Sequence, residues 1–379
     1  LFDETLLEDP EAVARADTRG LLLGAAAAGA RVRTALRLAD ESGLRELRPD
    51  GRPRTVMVAG SGPDTAAVAD LLGALCAGSC PVRALDATGP SPERSRWTLP
   101  GWAGSLDLLL LASPQGTEQG LTDLVEQAYR RGCTAVAVTP PTAPLAEAVA
   151  QVRGLTLPFA AAGRGGSALD PATDPAADTG AFWALLTPLL ALADRLGLTG
   201  APPAELQAVA DALDATAARC GPAVATYTNP AKTLAAELGD ALPLLWSQGP
   251  VAAAGARRFA AVLGARAGRP ALTAQLPAAL TLHGPLQAGG HALSADPDDF
   301  FRDRVEEPDG LRLRIVLLQE APDRPDSAAP AAREQAYAHD TPLSEIAAPG
   351  GSDLHIAAEL VALTDFTTAY LAVASTERP

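Results

Sequence analysis

The chain has 379 residues, 47% of them hydrophobic, and a formal net charge of −15. That length exceeds one ordinary core and implies two domains. The acidic balance, with no basic stretch to offset it, argues against nucleic acid or an anionic membrane surface as partner. Lys232 is the only lysine, so amine chemistry has a single candidate.

Taken in chain order, Asp9 to about Ala39 reads as helix, with Asp9 as N-cap and Pro10 in the first turn. Its stretch GLLLGAAAAGA follows an acidic segment and is bounded by Arg19 and Arg31, so a packing helix is expected there rather than a leader. Short apolar runs at Thr55–Ala59, Val82–Leu85, Asp107–Leu111, Thr134–Val138 and Thr156–Phe159 read as strands. Helical periods lie between them at Asp64–Ala77, Gly120–Arg131 and Pro144–Val152. Strands alternating with helices imply a parallel sheet covered on both faces.

The stretch AGRGGSALDPATDPAADTG reads as a linker or surface loop, followed by an apolar helix at Phe182–Leu196. A second unit repeats the same grammar: helix Ala204–Ala218, TNPAKTLAAELG, strand LPLLW, helix Val251–Gly264, strands Leu311–Leu318 and Leu343–Ala347, and a closing helix at Leu354–Ala374. Between those last strands, residues 319–342, with QEAPDRPDSAAPAAREQ, read as a mobile segment. The domains are expected at 51–200 and 201–379, behind a helical segment at 1–50. Cys76, Cys80, Cys133 and Cys220 are expected to be reduced core thiols in a cytoplasmic protein. The four histidines, His283, His291, His339 and His355, are scattered and form no metal-ligand pattern, so no metal or other cofactor is expected.

The segments VMVAGSGPDTAAVADLL, SLDLLLLASPQGTEQGLTDLVEQAYRRGCTAVAVT, TNPAKTLAAELGDALPLLW and ALTDFTTAYLAVA together resemble the two-domain SIS (sugar isomerase) proteins, in particular bifunctional phosphoglucose/phosphomannose isomerases. The resemblance implies an α/β fold of tandem SIS domains, each a doubly wound, mainly parallel sheet flanked by helices. It also implies a homodimer and a sugar phosphate or related sugar derivative as ligand.

The site loops depart from the family. Its G-x-G-G-S-A turn is represented by Gly60, Ser61, Gly62, Pro63, Asp64 and Thr65. Glycines there let amides face an anion, but Pro63 removes one donor and Asp64 adds a negative charge, and a plain turn with Asp64 as N-cap is an equal reading. The family's S-Y-S-G-N-T-E phosphate loop is represented by Ser113, Pro114, Gln115, Gly116 and Thr117, with Thr117 one position early. Aldose–ketose isomerisation needs a base to carry a proton between two carbons and a group to open the ring. The ungapped match replaces the family's N-E-N base with Gly264, Ala265 and Arg266. The ring-opening histidine falls on Thr281, with His283 two residues on, and the family's tail lysine has no counterpart before Pro379.

These readings favour a phosphosugar or carbohydrate-derivative binding protein with little isomerase turnover. The contacts are expected from Gly60, Ser61, Gly62, Ser113, Gln115, Gly116 and Thr117, with His283 as the catalytic candidate. An active isomerase using a rearranged base such as Glu237 or Asp64, and a non-catalytic interaction subunit, are the alternatives.

Overall fold

A computed structural model describes residues 2–47, 51–161, 178–292, 312–321, 325–348 and 350–375. The chain forms two compact units, Thr18–Ala215 and Leu1–Asp17 together with Thr216–Pro379. The N-terminal helices therefore divide between the units. Most of the expected linker, residues 162–177, and the side chain of His291 lie outside the described residues.

The single helix expected from Asp9 to Ala39 is three: α1 (Pro10–Ala16), α2 (Leu21–Ala26) and α3 (Ala28–Glu41). The polar stretch Asp17 to Arg19 and a left-handed Gly20, φ 67°, make the first break. Asp9 does cap α1, its Oδ1 accepting from the amides of Glu11 at 2.9 Å and Ala12 at 3.1 Å.

The first unit continues with β1 (Thr55–Gly60), α4 (Pro63–Cys76), β2 (Val82–Ala84), β3 (Asp107–Ala112), α5 (Gln119–Arg130), β4 (Thr134–Thr139), α6 (Pro144–Gln151), β5 (Leu155–Pro158) and α7 (Ala181–Arg195). Its strands lie in the order β2-β1-β3-β4-β5, all parallel. Alternation along each strand feeds two cores. Met57, Leu109 and Leu111 pack with Leu121, Leu124 and Val125 of α5 and Val149 of α6. Val56, Leu108 and Leu110 point the other way, toward Leu72 and Cys76 of α4 and Leu189 and Leu192 of α7. Full burial from Asp107 to Ala112 is what a strand covered on both faces requires.

Helix α8 (Pro203–Cys220) leads to the second unit: α9 (Pro230–Leu238), β6 (Leu242–Gln248), α10 (Pro250–Ala267), β7 (Leu272–Gln275), α11 (Ala278–Leu282), α12 (Gly284–Ala292), β8 (Leu313–Gln319), α13 (Ala329–Ala338), β9 (Leu343–Ala347) and α14 (Asp353–Ala374). The sheet order is β7-β6-β8-β9, again parallel. Helices α9, α10 and α14 pack together, while Ala279, Ala329, Ala332 and Ala336 cover Trp246, Ile315 and Leu317.

The expectation of a mobile segment at 319–342 is thus corrected. Alanines at 329, 332 and 336 follow the i, i+3, i+7 spacing of a buried helical face, and α13 forms there; residues 322–324 lie outside the described set.

Helix α14 is long and apolar enough to cross a bilayer by length and composition, yet 78% of its most apolar window is buried. It also carries Asp365, which takes a bidentate contact from Arg258 of α10 at 2.7 and 3.1 Å and a third from Arg266 at 3.2 Å. A helix whose interior carboxylate holds two buried arginines is a core helix of this unit. The N-terminal residues complete the unit: the Asp3 amide donates to Ala374 O at 2.9 Å. The Lys232 ammonium donates to Leu7 O at 2.7 Å and Pro222 O at 2.8 Å.

Candidate functional site

Both sheets change winding direction beside their first strand. β1 has β2 on one side and β3 on the other, and β6 likewise lies between β7 and β8. In open α/β sheets the ligand crevice forms at the C-terminal ends of the strands at this switch.

In the first unit the two strands end together, Gly60 paired with Ala112. A Cβ on Gly60 would lie 2.1 Å from the Ala112 carbonyl oxygen, so only glycine allows this approach. Gly62, at φ 86°, is the N-cap residue of α4 and faces open space. Asp64 sits in the first helical turn and is 6% exposed, so its reading as N-cap is corrected to one residue inside the helix. Thr65 Oγ1 donates to Ser61 O at 3.0 Å and ties the turn down.

The loop after β3 closes on itself. Ser113 is fully buried; its Oγ accepts from the Gly116 amide at 2.7 Å and donates to Glu118 Oε2 at 2.7 Å. Gly116 is left-handed, φ 66°, and a Cβ there would lie 2.1 Å from Thr139 Oγ1. The Thr139 hydroxyl is buried without a hydrogen-bond partner among the described residues. Gln115 is half-buried and Thr117 exposed.

The decisive contact is between the loops. Ser61 Oγ donates to Glu118 Oε1 while Ser113 donates to Oε2. One carboxylate therefore bridges the two loops. The structure brings Gly60, Ser61, Gly62, Ser113, Gln115, Gly116 and Thr117 to the C-terminal edge of one sheet, together with Glu118, which the sequence reading missed. The signal was present: Glu118 occupies the N-cap position of α5 and makes no side-chain capping bond. Ser, Thr, Asp or Asn is the usual residue at such a position.

The second unit repeats the arrangement with different donors. Glu320, directly after β8, accepts through Oε1 from the Val251 and Ala252 amides at the start of α10, the latter at 2.9 Å. Gly249, φ 101°, leaves room for it, since a Cβ there would lie 2.2 Å from Glu320 Cδ. The partial positive charge of a helix N-terminus favours such an anion.

His283 closes α11 and is 7% exposed. Its Nδ1 accepts from Trp246 Nε1 at 2.8 Å, and burial lowers its pKa below the usual histidine value. Among the described residues no carboxylate is bonded to it. Glu237, offered as a rearranged base, accepts from Ser344 of β9 at 2.5 Å and pairs with Arg314 at 3.3 Å. It is thus fastened beside β9 and His283 beside β6, with β8 between those strands.

The register that put the base position at Ala265 is also corrected. Ala265 lies fifteen residues into α10, about 22 Å along the axis from the helix start at the crevice. Its neighbour Arg266 points into the core toward Asp365. The end of β7, where a crevice residue would stand, offers Gln275, Leu276 and Pro277.

Residues 227–378 match the family described as the bacterial phospho-glucose isomerase C-terminal SIS domain. Over those residues the chain resembles the C-terminal SIS domain of phosphoglucose isomerase. Solved structures extend the likeness in fold across both units. A putative phosphosugar isomerase from Silicibacter pomeroyi DSS-3 superposes with a TM-score of 0.58 at 17% identity, over 93% of this chain and 95% of its own. A putative phosphosugar isomerase from Clostridium difficile 630 gives 0.56 at 10% identity, over 94% and 92%. The C-terminal domain of glucosamine-fructose-6-phosphate aminotransferase from Francisella tularensis gives 0.53 at 11% identity, over 95% and 98%. No curated protein matches the chain by sequence. At these identities the likeness is one of fold: two parallel α/β sheets flanked by helices, as in tandem SIS domains.

Proposed function

We propose that this SIS-family protein binds a carbohydrate derivative at the first switch point and turns over little or none of it as an isomerase. The observation that carries the reading is the convergence of the Ser61 and Ser113 hydroxyls on one polar group between the loops after β1 and β3. That is how a ligand's polar group is held in a crevice of this kind. Low turnover is supported by His283, whose Nδ1 is engaged by an indole, and by the end of β7, where Gln275, Leu276 and Pro277 offer no carboxylate as base. The four buried cysteines are consistent with a reducing, cytoplasmic setting.

Thermal melting against sugars, amino sugars and hexose 6-phosphates tests the binding half. A ligand at a hundred times its dissociation constant adds about 2.7 kcal/mol and raises the midpoint visibly. A coupled assay between fructose 6-phosphate and the glucose or mannose 6-phosphates tests the other half, with no turnover above background expected. A measurable rate that disappears in His283→Ala would make the protein an active isomerase instead.

A further inference from the structure

We propose that the free edge of β9 takes an extended peptide segment of a partner protein as a fifth strand of the second sheet, a segment in which apolar residues alternate with lysine or arginine. This stands apart from the carbohydrate reading above, because it uses neither switch point.

The two sheets differ at one edge. β9 lies against β8 as β4 lies against β3, and in the first unit β5 then pairs with the far side of β4. Among the described residues nothing pairs with the far side of β9. In a parallel ladder the N–H and C=O of one residue point to the same side, and the side alternates along the strand. The Ile315 amide donates to Pro342 O at 2.9 Å, which turns Pro342, Ser344 and Ile346 toward β8 and leaves Leu343, Glu345 and Ala347 facing outward. The outward amides and carbonyls of these three have no backbone partner among the described residues. Such an unpaired row is the template that strand addition uses.

The edge opens onto a trough whose lining belongs wholly to the second unit. A cavity of about 660 Å³ lies beside Ser344, Glu345 and Ile346, and a second of about 280 Å³ continues past Ala347 and Ala348. Leu234 of α9, Ile346 and Leu363 of α14 give apolar walls, and Tyr227, 88% exposed, lines the same cavity. Alternate side chains of an added strand would meet these walls.

Charge supplies the rest of the partner's chemistry. Glu237, Glu345 and Glu359 line the trough against a single arginine, Arg219. Arg219 pairs with Glu359, and Arg314 and Arg333 pair with the other two from outside the lining. Glu237 and Glu345 nevertheless keep 35% and 32% of their side chains exposed. A carboxylate has about four lone-pair directions, so both can accept from a further cation. β9 itself, with the sequence LSEIA, has no cation to offer, so a second copy pairing edge to edge does not meet this requirement.

Fluorescence anisotropy of the full chain with a labelled octapeptide alternating valine and lysine tests this, together with hydrogen exchange of the β9 amides. The expected result is saturable binding with at least tenfold slower exchange at Leu343, Glu345 and Ala347. Affinity should fall tenfold or more when the peptide's amides are N-methylated or its lysines are replaced by glutamates. Ala347→Pro removes one outward amide and leaves the β8 ladder intact; it is expected to weaken the peptide at least fivefold, and Glu237→Gln at least threefold, with circular dichroism melts confirming that both variants fold. No binding of the valine–lysine peptide by the unaltered protein, equal binding of either altered peptide, protection only outside β9, or unchanged affinity in both folded variants overturns the proposal. A change of oligomeric state in Ala347→Pro by analytical ultracentrifugation would put a second copy at this edge and overturns it too.

Discussion

The indole N–H of Trp246 donates to His283 Nδ1 at 2.8 Å in the core of the second unit. That bond needs an unprotonated Nδ1, and burial already disfavours the imidazolium and lowers the folded-state pKa. The unfolded chain takes up the proton first as pH falls below about 6.5. Stability is therefore fully present above that value and declines as pH drops from there toward the lower folded-state pKa. Urea unfolding midpoints from pH 8 to pH 5 should show this decline, and His283→Gln should flatten it while losing about 1–3 kcal/mol throughout. An unchanged pH slope in the variant would mean that the decline arises elsewhere.

Asp365 lies between Arg258 and Arg266 with all three side chains nearly fully buried. Removing the carboxylate alone takes a charged partner from two buried arginines. Asp365→Ala should cost about 3–5 kcal/mol, read as a fall in the urea midpoint at unchanged slope. Replacing all three by apolar residues of similar volume should recover most of that loss. A loss under 1 kcal/mol for the single change would show that water reaches this junction of α10 and α14.

Two glycines can be tested for close approach. Gly116→Ala combines a left-handed backbone with a Cβ 2.1 Å from Thr139 Oγ1 and 2.6 Å from Ala143 Cβ, a loss of about 3 kcal/mol or more. Gly60→Ala forces β1 away from the Ala112 carbonyl and should destabilise comparably. Gly78→Ala, where a Cβ meets nothing within 4 Å, should stay within about 0.5 kcal/mol of the unaltered protein. The three variants compared by thermal melting give the result directly.

Burial pushes the thiols of Cys76, Cys133 and Cys220 up to about 11 and raises that of Cys80 as well. At pH 8 the first three hold roughly one thiolate per thousand. The native protein should leave a disulfide thiol reagent unreacted over the time in which urea-unfolded protein releases four equivalents. Lys232, 1% exposed and with its pKa lowered by burial, should resist amine-reactive esters in the same way, as peptide mass mapping would show. Rapid native labelling of any of these groups would reveal local opening around it.

Most of the strand and helix order was legible because β1, β3 and β4 of the first unit carry apolar runs, as in Leu108–Ala112, and α5 a clear 3.6-residue period. What the sequence did not reveal has particular causes. The break at Gly20 was masked by alanines that would continue any helix. Strand β7, Leu272–Gln275, is short and exposed, so it lacks an apolar run. Helix α13 was obscured by proline and charge, although its alanine spacing was there to read. At the site, the two loops could be placed from glycines and hydroxyls, because backbone geometry demands those residues. Glu118 could not, since its role depends on Ser61, fifty-seven positions away in the chain. Ala265 was misplaced because an ungapped register takes no account of which end of a helix meets the crevice.

The second unit is built from two stretches that flank the first in sequence, with Asp3 bonded to Ala374 and Leu7 to Lys232. During synthesis, residues 2–17 leave the ribosome long before the last helix exists, while residues 18–215 form a complete unit of their own in between. The native partners of Phe2 and Leu7 in this unit, Ser375 and Lys232, therefore come only later in the chain. Contacts between residues 2–17 and α14 thus join segments more than 330 positions apart, whereas every contact inside residues 18–215 joins segments closer in the chain.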